Sequence, residues 1–209
     1  MKGHRLFIAI NIPPEVREML RKETETWRDL PIRWVSEENI HITLLFIGAA
    51  DDEEMSRIAT VLPMATEGIE SFDITLDRIG IGPTPKTPRM VWAEGEVSVE
   101  LTALQRKVRE CVFPEGRYIQ EAEEAEYPIS PSGILGTGNT KSPMTDKKPF
   151  KLHVTLGRMI PFRWKQLGSG APHIEKTLDI SFPVHSIELM ESEPGPKGPT
   201  YTVLSSAGL

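Results

Sequence analysis

His41-Ile42-Thr43-Leu44 and His153-Val154-Thr155-Leu156 spell the same pattern, His-x-Thr-Leu, twice in one chain. Each copy sits in an apolar run, "NIHITLLFIG" and "KLHVTLGRMI", that reads as a β-strand. Alternate side chains of a strand share a face. His41 and Thr43 therefore look one way while Ile42 and Leu44 look the other, and His153 and Thr155 are opposed in the same manner to Val154 and Leu156. If the two strands lie beside each other, two imidazoles and two hydroxyls converge. That grouping suits in-line phosphoryl chemistry without a metal. One histidine removes a proton from the nucleophile and the other protonates the leaving oxygen, because a reference pKa of about 6.5 serves either role near neutral pH. The threonine hydroxyls can hydrogen-bond the non-bridging phosphate oxygens as charge builds on them.

Other readings of these residues are blander. A single His-x-Thr arises readily by chance and marks an ordinary structural histidine. The pairing, with leucine after each threonine, favours a site. A zinc centre would need a third ligand, and neither motif has a second His, Cys or carboxylate at the usual close spacing. No metal and no cofactor are expected. His4, His173 and His185 lack a threonine partner and are expected to be surface or structural residues.

Strands and helices must position these motifs. "RLFIAINI" reads as a buried strand, and Pro13-Pro14 open a helix, since proline fits the first turn. Val16, Met19, Leu20 and Trp27 share one face of it. "IRWV" and "IHITLLFIG" read as strands. "DDEEMSRIATVL" carries acids in its first turn, and Met55, Ile58, Ala59 and Leu62 form an apolar stripe at helical spacing. "FDITLDRIG" alternates as a half-buried strand, "GPTPKTPR" reads as a turn and "MVWAEG" as a strand. "VELTALQRKVREC" is a helix with Leu101, Leu104, Val108 and Cys111 inward. A short helix near Trp164, then strands in "ISFPVHSIELME" and "TYTVLS", complete the chain. Strands and helices thus alternate, with one motif in each half, as in a duplicated αβ lobe. Residues 114–149 lack periodicity. They read as a flexible insertion, with a lid whose Lys141, Lys147 and Lys148 reach a phosphate as the sharper alternative.

The 209 residues suffice for one domain with a sizeable core. A single cysteine, Cys111, rules out an intrachain disulfide and suits a reducing compartment. The net charge of −6 argues against coating a long nucleic acid or an anionic membrane, so any nucleic-acid contact should be local. The run Leu6 to Ile12 is too short for a signal core, and a cytoplasmic protein is expected.

Together these segments resemble the two-histidine (2H) phosphoesterases, in particular the RNA 2′,3′-cyclic phosphodiesterases formerly described as 2′-5′ RNA ligases. "RLFIAINIPPEVRE", "IRWVSEENIHITLLFIG", "PRMVWAEG", "KLHVTLGRM" and "VHSIELMESEPGPKGPTYTVL" carry the likeness, in order, over most of the chain. Residues 114–149 depart from it, being longer and more acidic. The resemblance implies an α+β, bilobal, pseudo-symmetric fold with two antiparallel β-sheets facing a central cleft and helices outside. His41 would protonate the leaving oxygen and His153 would activate water, with roles exchanged in reverse. Thr43 and Thr155 would hold the phosphate, with Arg158 as an added contact. The reaction would open a 2′,3′-cyclic phosphate at an RNA end to a 2′-phosphomonoester, without a metal, and the 2′-5′ ligation would join such an end to a 5′-hydroxyl. Trp34, Phe46 and Trp164 are candidates to stack on a base, Phe46 less so because it sits inside an apolar strand. RNA ends or small nucleotides with a cyclic phosphate are the expected partners, and a monomer the expected state. A nucleotide- or RNA-binding module of the same fold, with little turnover, is the alternative.

Overall fold

The computed structural model describes residues 3–84, 87–114, 150–196 and 198–209. Apart from Pro114, the stretch read as an insertion or lid, with Lys141, Lys147 and Lys148, lies outside the described residues.

The strands form two antiparallel sheets. The first has the order β3 (His41–Ala50), β1 (His4–Asn11), β8 (Ser186–Glu193), β9 (Thr200–Gly208). The second runs β2 (Ile32–Trp34), β6 (His153–Met159), β5 (Thr87–Glu94), β4 (Phe72–Thr84), β7 (Lys176–Val184). The two motif strands, β3 and β6, therefore belong to different sheets, and they meet where the sheets face each other.

The halves of the chain are not the two sheets. β2 comes from the N-terminal half yet pairs with β6, and β8 and β9 come from the C-terminus yet complete the first sheet. The segment "ISFPVHSIELME" breaks at His185: β7 before it edges the second sheet, and β8 after it lies inside the first. These crossings tie the sheets into one body with a continuous apolar core. Ile42, Leu44, Val154 and Leu156 are buried in that core, as the alternation requires.

Local rules account for the helices. α1 (Pro14–Glu23) begins on proline. It buries Val16 and Leu20, but Met19 is 46% exposed, so the apolar face is narrower than the sequence pattern suggests. α2 (Asp52–Thr66) is capped by Asp51, whose carboxylate accepts the Glu54 N–H at 2.9 Å, and three acids occupy its first turn. α3 (Val99–Val112) is capped by the Ser98 hydroxyl, which accepts the Leu101 N–H at 3.1 Å. α2 and α3 pack on each other and cover the first sheet. They bury Ile58, Leu62, Leu101, Leu104 and Val108, each worth about 1.5–3 kcal/mol; Cys111 is only partly buried. α4 (Pro161–Gln166) places Trp164 in the core. β4 continues to Thr84, into the stretch expected to turn, and its hairpin with β5 closes between Thr84 and Thr87. No helix among the described residues is long and apolar enough to cross a membrane.

Candidate active site

The motif strands share a local device at each histidine. His41 Nδ1 lies 2.7 Å from the Asn39 carbonyl, and His153 Nδ1 lies 3.0 Å from the Lys151 carbonyl. A carbonyl only accepts, so each Nδ1 carries the proton and each ring is turned back on its own chain two residues upstream. Nε2 is thereby left as the nitrogen able to exchange a proton with a substrate. His41 Nε2 is 3.1 Å from the Thr43 hydroxyl, which donates to the neutral ring.

A second shared device follows each threonine. Along β3, Thr43 pairs with Ala9 and Leu45 with Ile8, so Leu44 is an extra residue. Along β6, Thr155 pairs with Trp92 and Gly157 with Val91, so Leu156 is an extra residue. Each is a β-bulge that shifts the alternation by one position. Strict alternation would turn Phe46 and Arg158, three residues after each threonine, away from the histidines. With the bulge, both line the same cleft as His41, Thr43, His153 and Thr155. The leucine of His-x-Thr-Leu thus marks more than a buried side chain. It marks the bulge.

The surroundings of the two histidines differ. His41 stands among aromatic rings: Phe7 at 5.1 Å between centroids, and Tyr201 at 5.1 Å in an edge-on arrangement. Burial pushes its pKa down from 6.5 to about 4. The Asn39 hydrogen bond opposes this, while the nearby His153 and Arg158 add to it. His153 lies on the Trp92 indole, with centroids 4.2 Å apart and planes inclined by 32°. Glu94, its neighbour across the β5–β6 pair, is ion-paired with Arg78. Arg158 donates from Nη1 to Met90 Sδ at 3.8 Å.

Arg5 and Arg33 also line the cleft with Arg158, and no carboxylate does among the described residues. A cationic cleft in a chain of net charge −6 is a local concentration of positive potential facing any anionic ligand. Trp34 lines the cleft, resting on Gly157, where a Cβ would come within 2.8 Å of its ring. Phe46, the weaker stacking candidate because it sits inside an apolar strand, does lie in β3 and faces the cleft because of the bulge. Trp164 was expected near the site but is 8% exposed in the core. Sequence reasoning passed over Phe7, Tyr201 and Trp92, since apolar aromatics in strands look alike whether they face core or cleft.

The remaining histidines lie elsewhere. His4 bridges Glu191 at 2.7 Å and Asp52 at 2.9 Å, His185 meets the Ser71 hydroxyl at 3.0 Å, and His173 faces Glu175 at 3.3 Å. Among the described residues, no three His, Cys, Asp or Glu side chains gather as a metal site would need.

Two sheets, two opposed His-x-Thr strands and one cationic cleft describe a phosphoesterase of the two-histidine class. Residues 10–92 match the family of LigT-like phosphoesterases. The chain is 30% identical to a Thermus thermophilus protein named RNA 2′,3′-cyclic phosphodiesterase, over 98% of this chain and 90% of that one. It is 29% identical to a Thermotoga maritima protein of the same name, over 96% and 92%. This chain belongs to the LigT-like phosphoesterase family. Among solved structures it is similar to the TT0787 protein of Thermus thermophilus, with a TM-score of 0.71 and 27% identity over 98% of this chain and 97% of that one. It also shares its fold with Escherichia coli LigT complexed with 3′-AMP, with a TM-score of 0.69 and 21% identity over 100% and 99%.

Proposed function

We propose that the cleft hydrolyses 2′,3′-cyclic phosphate ends of RNA to 2′-phosphomonoesters by acid–base action of His41 and His153, without a metal. One observation carries this reading. Two imidazoles from opposite sheets each have Nδ1 held by a carbonyl, and both line a cleft that contains three arginines and, among the described residues, no carboxylate. The names of the relatives supply the substrate.

The cyclic phosphodiester sits between the sheets, held by the hydroxyls of Thr43 and Thr155 and by the Arg158 guanidinium. Water attacks phosphorus and gives its proton to His153 Nε2. The P–O3′ bond breaks, and O3′ takes a proton from His41 Nε2. The product carries a 2′-phosphate and a 3′-hydroxyl. In the free protein His41 is held neutral by burial, with a pKa of about 4. The phosphodiester charge opposes that effect by favouring the protonated ring, so the substrate helps to create its own acid. With a 5′-hydroxyl in place of water, the same steps join two ends through a 2′-5′ linkage. Trp34, beside the phosphate contacts, offers an aromatic face to a base.

The test is a short RNA ending in a 2′,3′-cyclic phosphate, incubated with EDTA. Conversion to a 2′-phosphate end is expected, and His41→Ala and His153→Ala should each lose about 10²- to 10⁴-fold. Activity that survives both substitutions, or a 3′-phosphate product, overturns the assignment. Binding of the RNA without turnover would instead favour a nucleotide-binding module.

A further inference from the structure

Resting on that reading, we propose that Trp92 is the positioning residue for His153, and that Gly82 exists to seat it. The indole packs against the His153 ring, 4.2 Å between centroids with the planes tilted by 32°. Trp92 is only 5% exposed, and its Nε1 is buried with no hydrogen-bond partner. No polar contact fixes this indole, so its place is set by what it packs against.

On one side that is the imidazole. On the other it is Gly82 of the neighbouring strand β4. A Cβ at Gly82 would lie 2.3 Å from Trp92 Cδ2 and 2.4 Å from Cε3, closer than any real contact. The absent side chain therefore leaves the space in which the indole lies. Glycine inside a strand weakens it and often marks close approach of another group, and here that group is Trp92. The chain of contact runs Gly82, Trp92, His153, from a strand interior to the cleft.

The stack completes what the Lys151 carbonyl begins. The Nδ1–H hydrogen bond, at 3.0 Å, fixes one edge of the imidazole and its tautomer, but a ring can still swing about that edge. The indole face blocks the swing and leaves Nε2 directed at the cleft. An indole face also attracts a cation, so it favours the ring after it has taken the proton from water. His41 has no such partner at the matching position. The residue opposite Thr43 is Ala9, where Trp92 stands opposite Thr155. The His41 ring is instead packed by Phe7 and Tyr201, each 5.1 Å away between centroids, and met by the Thr43 hydroxyl.

The test uses the whole protein and the cyclic-phosphate RNA assay. Trp92→Leu should lower kcat on the order of 10- to 100-fold, the effect of misplacing a reacting group, with KM changed less than about twofold. Trp92→Phe should recover most of that loss. Gly82→Ala, which changes no cleft residue but puts a Cβ where the indole lies, should reproduce the Trp92→Leu defect. The second readout is the proton spectrum of His153. Its ring protons should lie upfield in the wild type under the indole ring current, and move downfield in Trp92→Leu and Gly82→Ala. A rise in KM with kcat unchanged would make Trp92 a substrate-stacking residue and overturn the proposal. So would an unchanged His153 spectrum in Gly82→Ala. If the wild type shows no turnover, the functional reading fails, while the spectrum still decides whether the stack exists.

Discussion

The two motif strands build the same frame and then fill it differently. Both turn the histidine onto a carbonyl two residues upstream, both bulge at the leucine after threonine, and both direct the residue three positions past threonine into the cleft. In the first half that residue is Phe46, beside Phe7 and Tyr201. In the second it is Arg158, beside Met90. One half thus offers aromatic faces and a desolvated imidazole, and the other offers a guanidinium and a stacked imidazole. The division concerns the motif strands themselves, Phe46 against Arg158, since Trp34 of the second sheet also faces the cleft.

The largest effect is expected from removing the charge of the second half. Arg158→Gln should lower kcat/KM on the order of 10²- to 10³-fold, the cost of losing a donor that meets developing charge. A loss of similar size in Phe46→Ala, felt in kcat, would show that the halves are not divided in this way. Under the proposed division Phe46→Ala should act through KM instead. Loss of a stacking face costs about 1–3 kcal/mol, or about 5- to 150-fold, and should be largest for substrates that carry a full base.

The contrast between these positions also shows what a sequence can and cannot display. The pairing of His41 with Thr43 and of His153 with Thr155 follows from strand alternation, and so does the burial of Ile42, Leu44, Val154 and Leu156. The same rule misplaces Phe46, because alternation carries no sign of the extra residue at Leu44. The bulge is a property of the pairing with β1, which lies far away in sequence. Trp164 fails for a related reason: a tryptophan after the second motif is equally compatible with core and cleft, and only the docking of α4 decides. The carbonyls of Asn39 and Lys151 were invisible because backbone groups have no residue identity. The crossing of β2 into the second sheet was invisible because sheet order is a long-range property. What could have been found is the glycine signal. Gly82 and Gly157 sit inside strands, where glycine is unfavourable, and each lies beneath a tryptophan.

Smaller effects test the two threonines. Thr43→Val removes the hydroxyl that meets His41 Nε2 and should also remove the proposed phosphate contact. Thr155→Val should remove a phosphate contact with a smaller secondary consequence. A neutral hydrogen bond is worth about 1 kcal/mol, so about fivefold in kcat/KM is expected for Thr155→Val and somewhat more for Thr43→Val. Steady-state kinetics on one cyclic-phosphate substrate would order them, and the reverse order would mean that the Thr43–His41 contact does not contribute to turnover.

The smallest effect concerns the first half alone and is read in stability. Burial holds the folded-state pKa of His41 at about 4, below the reference value of 6.5. Between those values the unfolded chain takes up a proton that the folded chain refuses, so the unfolded state binds more protons and stability rises with pH. The contribution is fully present above about pH 6.5 and is lost as pH falls toward 4. His41→Asn removes the titrating group and should flatten that part of the pH dependence, which denaturant midpoints at about pH 7.5, 5.5 and 4.5 would reveal. Inorganic phosphate in the cleft should have a related consequence in the wild type. Its charge favours the protonated ring, so the His41 titration followed by proton resonance should move upward when phosphate is added. A titration that begins near 6.5 in the free protein would mean that the aromatic surround of Phe7 and Tyr201 does not desolvate the ring, and the electrostatic distinction between the halves would be lost.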